Sequence, residues 1–373
     1  MTADEANEIA AHAATAVADV DARHWLSARA DLDLFGLHAM AAAVRPALLD
    51  GIARTEDDLA AELAVAPRHR WLLRRWLGVL TGHGRLTGDA VSGFSLGGAG
   101  LAPQRPRISD VCADMGYSPQ LARFFDAANQ HALELLQDRV LAQELLFPDS
   151  DMLTAEAAYR DNPINRYLNA AAGAIVTRAV GDLAADRHPV RILELGAGVG
   201  GTTADLLPIL DGLPIEYHFT DVSSFFLDAA RARFARYPWL RFDLMDINGE
   251  PAPPETFDIV IAANVLHNAH HCGIALQRLR RVLRPGGHLV VIESCREHYQ
   301  LLTSMHFLMS PRPGGLRPGR DDVRAGTDRI FLTESQWRAE FFAAGMPPRL
   351  VLPGPDQPVA VHGQRIFAAR LPR

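Results

Sequence analysis

Apolar residues recur at helical spacing through the first quarter of the chain. Residues 32–44, with Leu34, Phe35, Leu37 and Met40, then residues 56–63 and 70–80, each present an apolar stripe, so a helix cluster is expected there. Thr55 stands three residues before Asp58, a capping arrangement that starts the second of these helices. Between Gly82 and Leu96, turn residues separate two short strand-like pieces, which reads as a small hairpin or wing. Residues 97–107 are rich in glycine and proline and read as a linker. Helical spacing resumes from about Pro119 to Leu183, with breaks at 144–151 and at Pro163. From Val190 the period changes. Strand-like runs at 190–195, 215–220, 241–245, 257–262 and 288–293 alternate with helical segments, a tight turn at 284–288 precedes the fifth run, and 349–352 and 364–369 add two more. Such alternation predicts an α/β fold, a doubly wound, Rossmann-like parallel sheet with ligands at the strand carboxyl ends. The expected organisation is a mostly helical, winged-helix-like unit over 1–100, a helical linker and lid over 101–185, and the sheet domain over 186–373.

The first strand of the sheet ends in Glu194, Leu195, Gly196, Ala197, Gly198, Val199, Gly200, a glycine-dense turn that opens into a helical pattern. Glycine takes positive φ and lets a ligand approach backbone without a Cβ in the way. The Gly-x-Gly-x-Gly spacing, with an acid inside the strand, departs from the dinucleotide fingerprint and favours a ligand without a pyrophosphate. Alone, the turn is equally compatible with an ordinary strand-to-helix connection. Two later strand ends narrow the reading. Asp221 ends the second strand, where a carboxylate can accept both hydroxyls of a ribose, and Asp246 with Ile247 follows the third, where an acid beside an apolar residue suits the amine and flat face of adenine. With Glu194 positioned for an amino group, three successive strand ends address one adenosyl sulfonium ligand.

On these residues the chain resembles the class I S-adenosylmethionine-dependent methyltransferases. Glu194, Gly196, Gly198, Asp221 and Asp246 fall on that family's cofactor positions, with Val222, Ile247 and Asn264 as their neighbours. The resemblance implies S-adenosylmethionine as cofactor. The run from Asp57 to Leu77 looks like the N-terminal domain of small-molecule methyltransferases, which implies a homodimer. Arg68, Arg70, Arg74 and Arg75 on the same run keep a DNA-binding reading in view.

Asn264 and His267 lie just past the fourth strand, where a transferred methyl group would lie, and Glu293 closes the fifth. A carboxylate on one imidazole nitrogen fixes the tautomer and raises the basicity of the other, which makes His267 and Glu293 a candidate catalytic dyad. The alternative is a buried histidine bonded for structural reasons. Residues 219–227, 261–267 and 285–293 look like the carbon-methylating domains of polyketide and peptide synthases, and the resemblance implies proton removal beside a carbonyl by this pair. Residues 307–315 depart from that pattern, since paired tryptophans are missing. Arg312, Arg317, Arg320 and Arg324 in the following loop suggest an anionic small-molecule substrate, an α-keto acid methylated at its β-carbon. The chain also looks similar to free-standing α-keto acid methyltransferases, some of which are metal-dependent. A divalent or iron-type ion held by His267 and His306, with Glu293 as a third ligand or their partner, would aid enolisation; the competing reading leaves His270 and His271 solvated and His306 as packing. Tyr159, Asn162, Asn165 and Arg166 line the substrate side on one reading and cap or bridge helices on the other.

Composition removes several classes. Acidic residues outnumber basic ones, 44 to 37, for a net charge of −7 without a long single-sign run, so neither nucleic acid nor anionic lipid is an expected partner. Three cysteines without metal-type spacing and an N-terminus lacking a signal pattern suggest a reduced, cytoplasmic protein, and no apolar run approaches the roughly 20 residues of a membrane span. The function expected is carbon methylation beside a carbonyl in secondary metabolism. Small-molecule O-methylation of a phenol or carboxylate, and a non-catalytic cofactor-binding DNA regulator, are the alternatives.

Overall fold

The computed structural model describes residues 2–99, 107–148, 152–249, 252–311 and 314–372. Among the described residues nine strands form two sheets: a hairpin of β1 (Leu86–Asp89) and β2 (Gly93–Leu96), and a seven-stranded sheet of β3 (Val190–Leu195), β4 (Ile215–Asp221), β5 (Leu240–Leu244), β6 (Phe257–Ala263), β7 (Leu283–Ser294), β8 (Leu350–Leu352) and β9 (Gln364–Arg370). The order across the large sheet is β5-β4-β3-β6-β7-β9-β8. Strands β3 to β7 pair in parallel, and β9 runs antiparallel to both β7 and β8. Neighbouring β3 and β6 mark the point where the strand order reverses, and a crevice opens there at the carboxyl ends.

Burial explains the order. Strand β6 reads Phe-Asp-Ile-Val-Ile-Ala-Ala and is buried at its first six positions, as a central parallel strand covered on both faces must be. Edge strand β5 buries only Leu240 fully. One face of the sheet is covered by helix Pro163–Ala184 and, beyond it, by helix Ala3–Thr15; the other is covered by Cys272–Val282 and Glu334–Ala343. Trp337 on the last of these is fully buried against Phe367, as the apolar spacing of its helix anticipates.

Several sequence expectations change in detail. Pro163 does not kink a helix; it starts one, with Asn162 capping the Asn165 amide at 3.1 Å, because a proline at the first helical position gives up an N–H that has no partner anyway. The tight turn at 284–288 is a bulge inside β7: pairing with β6 jumps from Leu283 to His288, with Gly286 at φ +78°. Helix Ala3–Thr15 was not anticipated, although Thr2 and Glu5 form a complete capping box at its start.

In the N-terminal part, helices Trp25–Val44, Glu56–Glu62 and Arg70–Gly82 precede the β1–β2 hairpin. The hydrophobic core does not divide at residue 100. Ile9, Trp25 and Leu32 pack into the cluster that holds Ile192, Tyr217 and Ile261, while Leu37, Trp76 and Phe94 share a second cluster with Leu302, Phe307 and Phe331. The arginines of the run from Asp57 to Leu77 are paired within the chain. Arg68 pairs with Asp138 at 2.6 Å, Arg70 with Asp57 at 2.7 Å, Arg74 with Glu56 and Asp328, and Arg75 with Glu297. No helix among the described residues is long and apolar enough to cross a membrane.

The start of β3 is fastened to β6 by a buried charge. Asp258 is fully buried, accepts the Arg191 amide at 2.8 Å, and pairs with Arg187 at 2.5 Å and Arg284 at 3.3 Å. Asp258→Ala leaves both guanidiniums and a strand amide without their acceptor, and should cost about 3 kcal/mol in urea-induced unfolding. A change below about 0.5 kcal/mol would show that the three bonds contribute little.

Candidate active site

The glycine turn and the strand ends enclose a cavity of about 560 Å³, within the range of sites that take ligands of cofactor size. Glu194, Gly196, Gly198, Asp221, Val222, Asp246, Ile247, Asn264 and His267 all line it, so the residues read from the sequence converge on one space. The glycines divide the work. A Cβ on Gly196 would come within 2.2 Å of Val265, and one on Gly200 within 2.8 Å of Phe234, so these positions serve packing as well as positive φ. Gly198, at φ +55°, meets no protein atom within 4 Å and borders the cavity, so a side chain there would occupy ligand space.

Asp221 braces this turn. Its carboxylate accepts the Gly198 amide and the Ser223 amide, each at 2.9 Å, and burial raises its pKa against those bonds. Glu194 is buried, and one of its oxygens accepts the hydroxyls of Thr203 at 2.5 Å and Tyr217 at 2.6 Å. Burial pushes its pKa up to about 7, and the two hydroxyl bonds oppose the rise. Exposed Asp246 holds the Asn248 amide at 2.8 Å, while Val222 is 71 % exposed at the rim, an apolar surface suited to a flat ring. Gln143, Leu146, Phe147, Tyr159 and Leu308 complete the wall. Of these, Leu146, Phe147 and Tyr159 fall in the segments whose sequence suggested a lid and Leu308 in the stretch after the fifth strand, whereas Gln143 had no sequence signal.

His267 stands where this cavity meets a second, smaller chamber of about 120 Å³, and Tyr159, Asn264 and Met309 share the junction with it. Strand β6 ends at Ala263, Asn264 turns the chain at φ +53°, and a 3-10 turn, Leu266–Asn268, carries the imidazole back over the sheet. Fully buried Glu293, near the end of β7, lies 2.8 Å from His267 Nδ1 and accepts the His267 amide at 3.2 Å. A carboxylate can only accept, so Nδ1 carries the proton and Nε2 keeps its lone pair.

The loop arginines expected to meet an anionic substrate do other work. Arg324 is fully buried, pairs with Asp322 at 2.7 Å, and donates to the carbonyls of His267, Ala269 and Ile330. It therefore fixes the backbone beneath His267. Arg317 pairs with Asp328 at 3.1 Å and lies over Trp71, and Arg320 reaches Asp321 at 3.5 Å. Arg312 lies outside the described residues. Arg166 pairs with Asp19 at 2.6 Å, and Asn162 and Asn165 bond the Ala158 carbonyl, so these three bridge or cap helices.

The expected metal pair is not supported. His306 is fully buried, stacked on Trp71 and set edge-on to Phe331, and burial takes its pKa down to about 3. His267 gives Nδ1 to Glu293, and no group of three His, Cys, Asp or Glu residues able to hold a metal is found among the described residues. His271 caps helix Cys272–Val282 instead.

Comparison with known proteins agrees with this geometry. Residues 193–289 match the family described as a methyltransferase domain. The polyketide synthase ThaG of Burkholderia thailandensis is 40% identical over 249 residues, which is 64% of this chain and 4% of that protein. Pyochelin synthetase PchF of Pseudomonas aeruginosa is 32% identical over 304 residues, 77% of this chain and 16% of that protein. The chain thus spans a small part of the length of these relatives. Among solved structures, the CurJ carbon methyltransferase superposes with a TM-score of 0.85 over 99% of each chain at 22% identity. The DszA carbon methyltransferase does so with 0.77 over 100% of this chain and 94% of its own, at 24% identity. The chain thus carries a methyltransferase domain, within a fold of a seven-stranded sheet and a helical N-terminal region that it shares with solved carbon methyltransferases.

Two measurements probe the cofactor cavity. Gly198→Ala should weaken S-adenosylhomocysteine binding at least tenfold while costing only about 1 kcal/mol of stability from backbone strain, whereas Gly196→Ala should lose several kcal/mol through its clash with Val265. Equal stability losses would contradict the division of roles. Glu194 is neutral below its raised pKa of about 7 and charged above it, so if it meets the ligand's ammonium group, affinity should climb between pH 6 and 8. Glu194→Gln should flatten that climb, as read by titration calorimetry.

Proposed function

We propose that the protein transfers a methyl group to an acidic carbon beside a carbonyl, in the assembly of a secondary metabolite. The observation that carries this reading is the His267–Glu293 pair at the only junction of the two cavities seen among the described residues. S-Adenosylmethionine supplies an electrophilic methyl group, so the protein's tasks are to hold the acceptor in line and to take a proton from it. Glu194, Asp221, Asp246 and the Gly198 backbone would hold the cofactor, with its methyl end towards His267. His267 Nε2 would remove the proton from the acceptor carbon. Glu293 would stabilise the imidazolium that forms, and the two N–H bonds to it keep the ring aimed at the junction.

Relatives that are polyketide synthases and a pyochelin synthetase, and the structural likeness to carbon methyltransferases, support carbon over oxygen as the acceptor atom. The acceptor on this reading is a keto acid or a keto thioester, with an α-keto acid the simplest member. On this reading the carbonyl oxygen takes up charge beside Asn264 and Tyr159 as the enolate forms.

Incubation with a labelled cofactor and a panel of 3-oxoacyl thioesters and 2-oxo acids should yield a carbon-bound methyl group that survives ester and ether cleavage. His267→Ala should reduce kcat by roughly 10²- to 10⁴-fold with S-adenosylhomocysteine affinity unchanged. Glu293→Gln should reduce it less, and should alter the pH dependence of kcat. A methyl group lost on ester or ether cleavage, or a His267→Ala variant at full rate, would overturn the proposal.

A further inference from the structure

The chamber past His267 is built largely from apolar side chains, among them Leu32, Met115, Leu121, Phe125 and Phe331. Most polar groups in its wall have partners within the protein. Asn162 and Asn165 bond backbone carbonyls, and Gln300 is tied to Asn129 at 2.8 Å. Four groups differ: His306, whose two ring nitrogens are buried without partners where the ring packs against Trp71 and Phe331, and three from separate segments that stand together. Arg29, on helix Trp25–Val44, has a buried Nε without a partner, and its Nη1 reaches Asp33 only at 3.5 Å. His362 has Nε2 buried without a partner, while its Nδ1 lies 3.2 Å from the Tyr117 hydroxyl. Gln364, at the start of β9, has Oε1 in the same condition.

All three line the chamber, Arg29 is its only guanidinium, and no carboxylate lines it among the described residues. A guanidinium N–H can only donate, and left buried without an acceptor it costs free energy that a bound oxygen would return. Burial holds the guanidinium of Arg29 below its ordinary pKa and takes the His362 imidazole down to about 3, so His362 is a neutral hydrogen-bonding ring and Arg29 supplies the charge. The side chains are held in place. Trp25 packs edge-on against His362, and His298 Nε2 lies 3.0 Å from the His362 carbonyl. Helix Trp25–Val44 is fixed from the same region, since Asp33 accepts the Tyr299 amide at 2.8 Å.

We propose that Arg29, with the ring of His362 and the amide of Gln364, forms a specificity subsite for an oxygen-bearing group on the part of the methyl acceptor that projects past His267. The group is an acceptor oxygen, either the carboxylate of a free keto acid or a distal keto oxygen of an acyl thioester. The identity of the ligand rests on the carbon-methylation reading above; the unpartnered groups themselves do not. In this arrangement an oxygen-bearing acceptor satisfies the Nε of Arg29, and a purely aliphatic one leaves that N–H without an acceptor, so selection acts chiefly against acceptors that lack the oxygen.

The test compares matched ligands by calorimetry on the whole chain saturated with S-adenosylhomocysteine, and then by turnover. The N-acetylcysteamine thioesters of 3,5-dioxohexanoate and 3-oxohexanoate differ by one distal oxygen; phenylpyruvate and its methyl ester differ by one charge. Wild-type protein should prefer the oxygen-bearing or charged member of at least one pair roughly 10- to 100-fold. Arg29→Leu should abolish that preference with the other member's affinity unchanged, and Arg29→Lys should restore part of it. The pair that responds identifies the source of the oxygen. Gln364→Leu, on a different element, should reduce the same preference, which guards against misfolding of the Arg29 variants. No preference in the wild type, or equal weakening of both members by Arg29→Leu, overturns the subsite. Selective binding without any methyl transfer would instead overturn the carbon-methylation reading and leave the subsite standing.

Discussion

A carboxylate without exposure to water governs the arrangement of this site. Glu293 is fully buried near the end of a central strand, and both of its oxygens are met by N–H groups of one residue, His267, through backbone and ring. A buried charge is tolerated only when bonded, so the segment after β6 must turn back within one residue to bring His267 into place. That requirement explains the positive φ of Asn264, a residue type that tolerates the left-handed region better than most. It explains too why a buried arginine, Arg324, is spent on the carbonyls of His267 and Ala269. The His267 carbonyl belongs to a short 3-10 turn that does not bond it internally, and the Ala269 carbonyl follows directly on that turn.

The two cavities follow from that fixed point. On one side the parallel strands end in acids and glycines, a pattern set by the backbone of the β3 turn and by the bracing of Asp221. On the other side the wall is drawn from the helices before the sheet, the segment after β7 and the turn before β9, elements far apart in the chain. His267 is the one titratable side chain shared by both cavities apart from Tyr159, whose burial raises its pKa to about 12 and keeps it a neutral hydroxyl. A proton acceptor at a boundary between a cofactor-sized cavity and a mostly apolar chamber is what removal of a carbon-bound proton needs, since the apolar wall excludes competing water.

The N-terminal helices are part of this design. Their apolar residues enter the same hydrophobic clusters as the sheet, and Arg29 reaches the second chamber from among them. A close approach fixes the register: a Cβ on Gly36 would come within 2.5 Å of the Tyr299 backbone, so helix Trp25–Val44 sits directly against the segment that follows β7. Changes in the first helices are thereby felt in the second chamber, although they stand more than 200 residues from Glu293.

Local sequence determined much of the fold. The change of hydrophobic period at Val190 announced the parallel sheet, and glycine spacing with acids at successive strand ends marked residues that line the larger cavity, because backbone conformation and alternation are properties of neighbouring residues. The spacing from His267 to Glu293 placed them at adjacent strand ends for the same reason. The partners of charged side chains were decided only by tertiary structure. Arg324 looked like a substrate contact and is a buried brace, His306 looked like a metal ligand and is packed between Trp71 and Phe331, and Arg29 drew no attention in an ordinary helix yet lines the chamber. A guanidinium or imidazole carries no mark of which distant acid, carbonyl or ring will face it, since that depends on how helices dock over the sheet. Long-range packing sets that choice, and no local period encodes it.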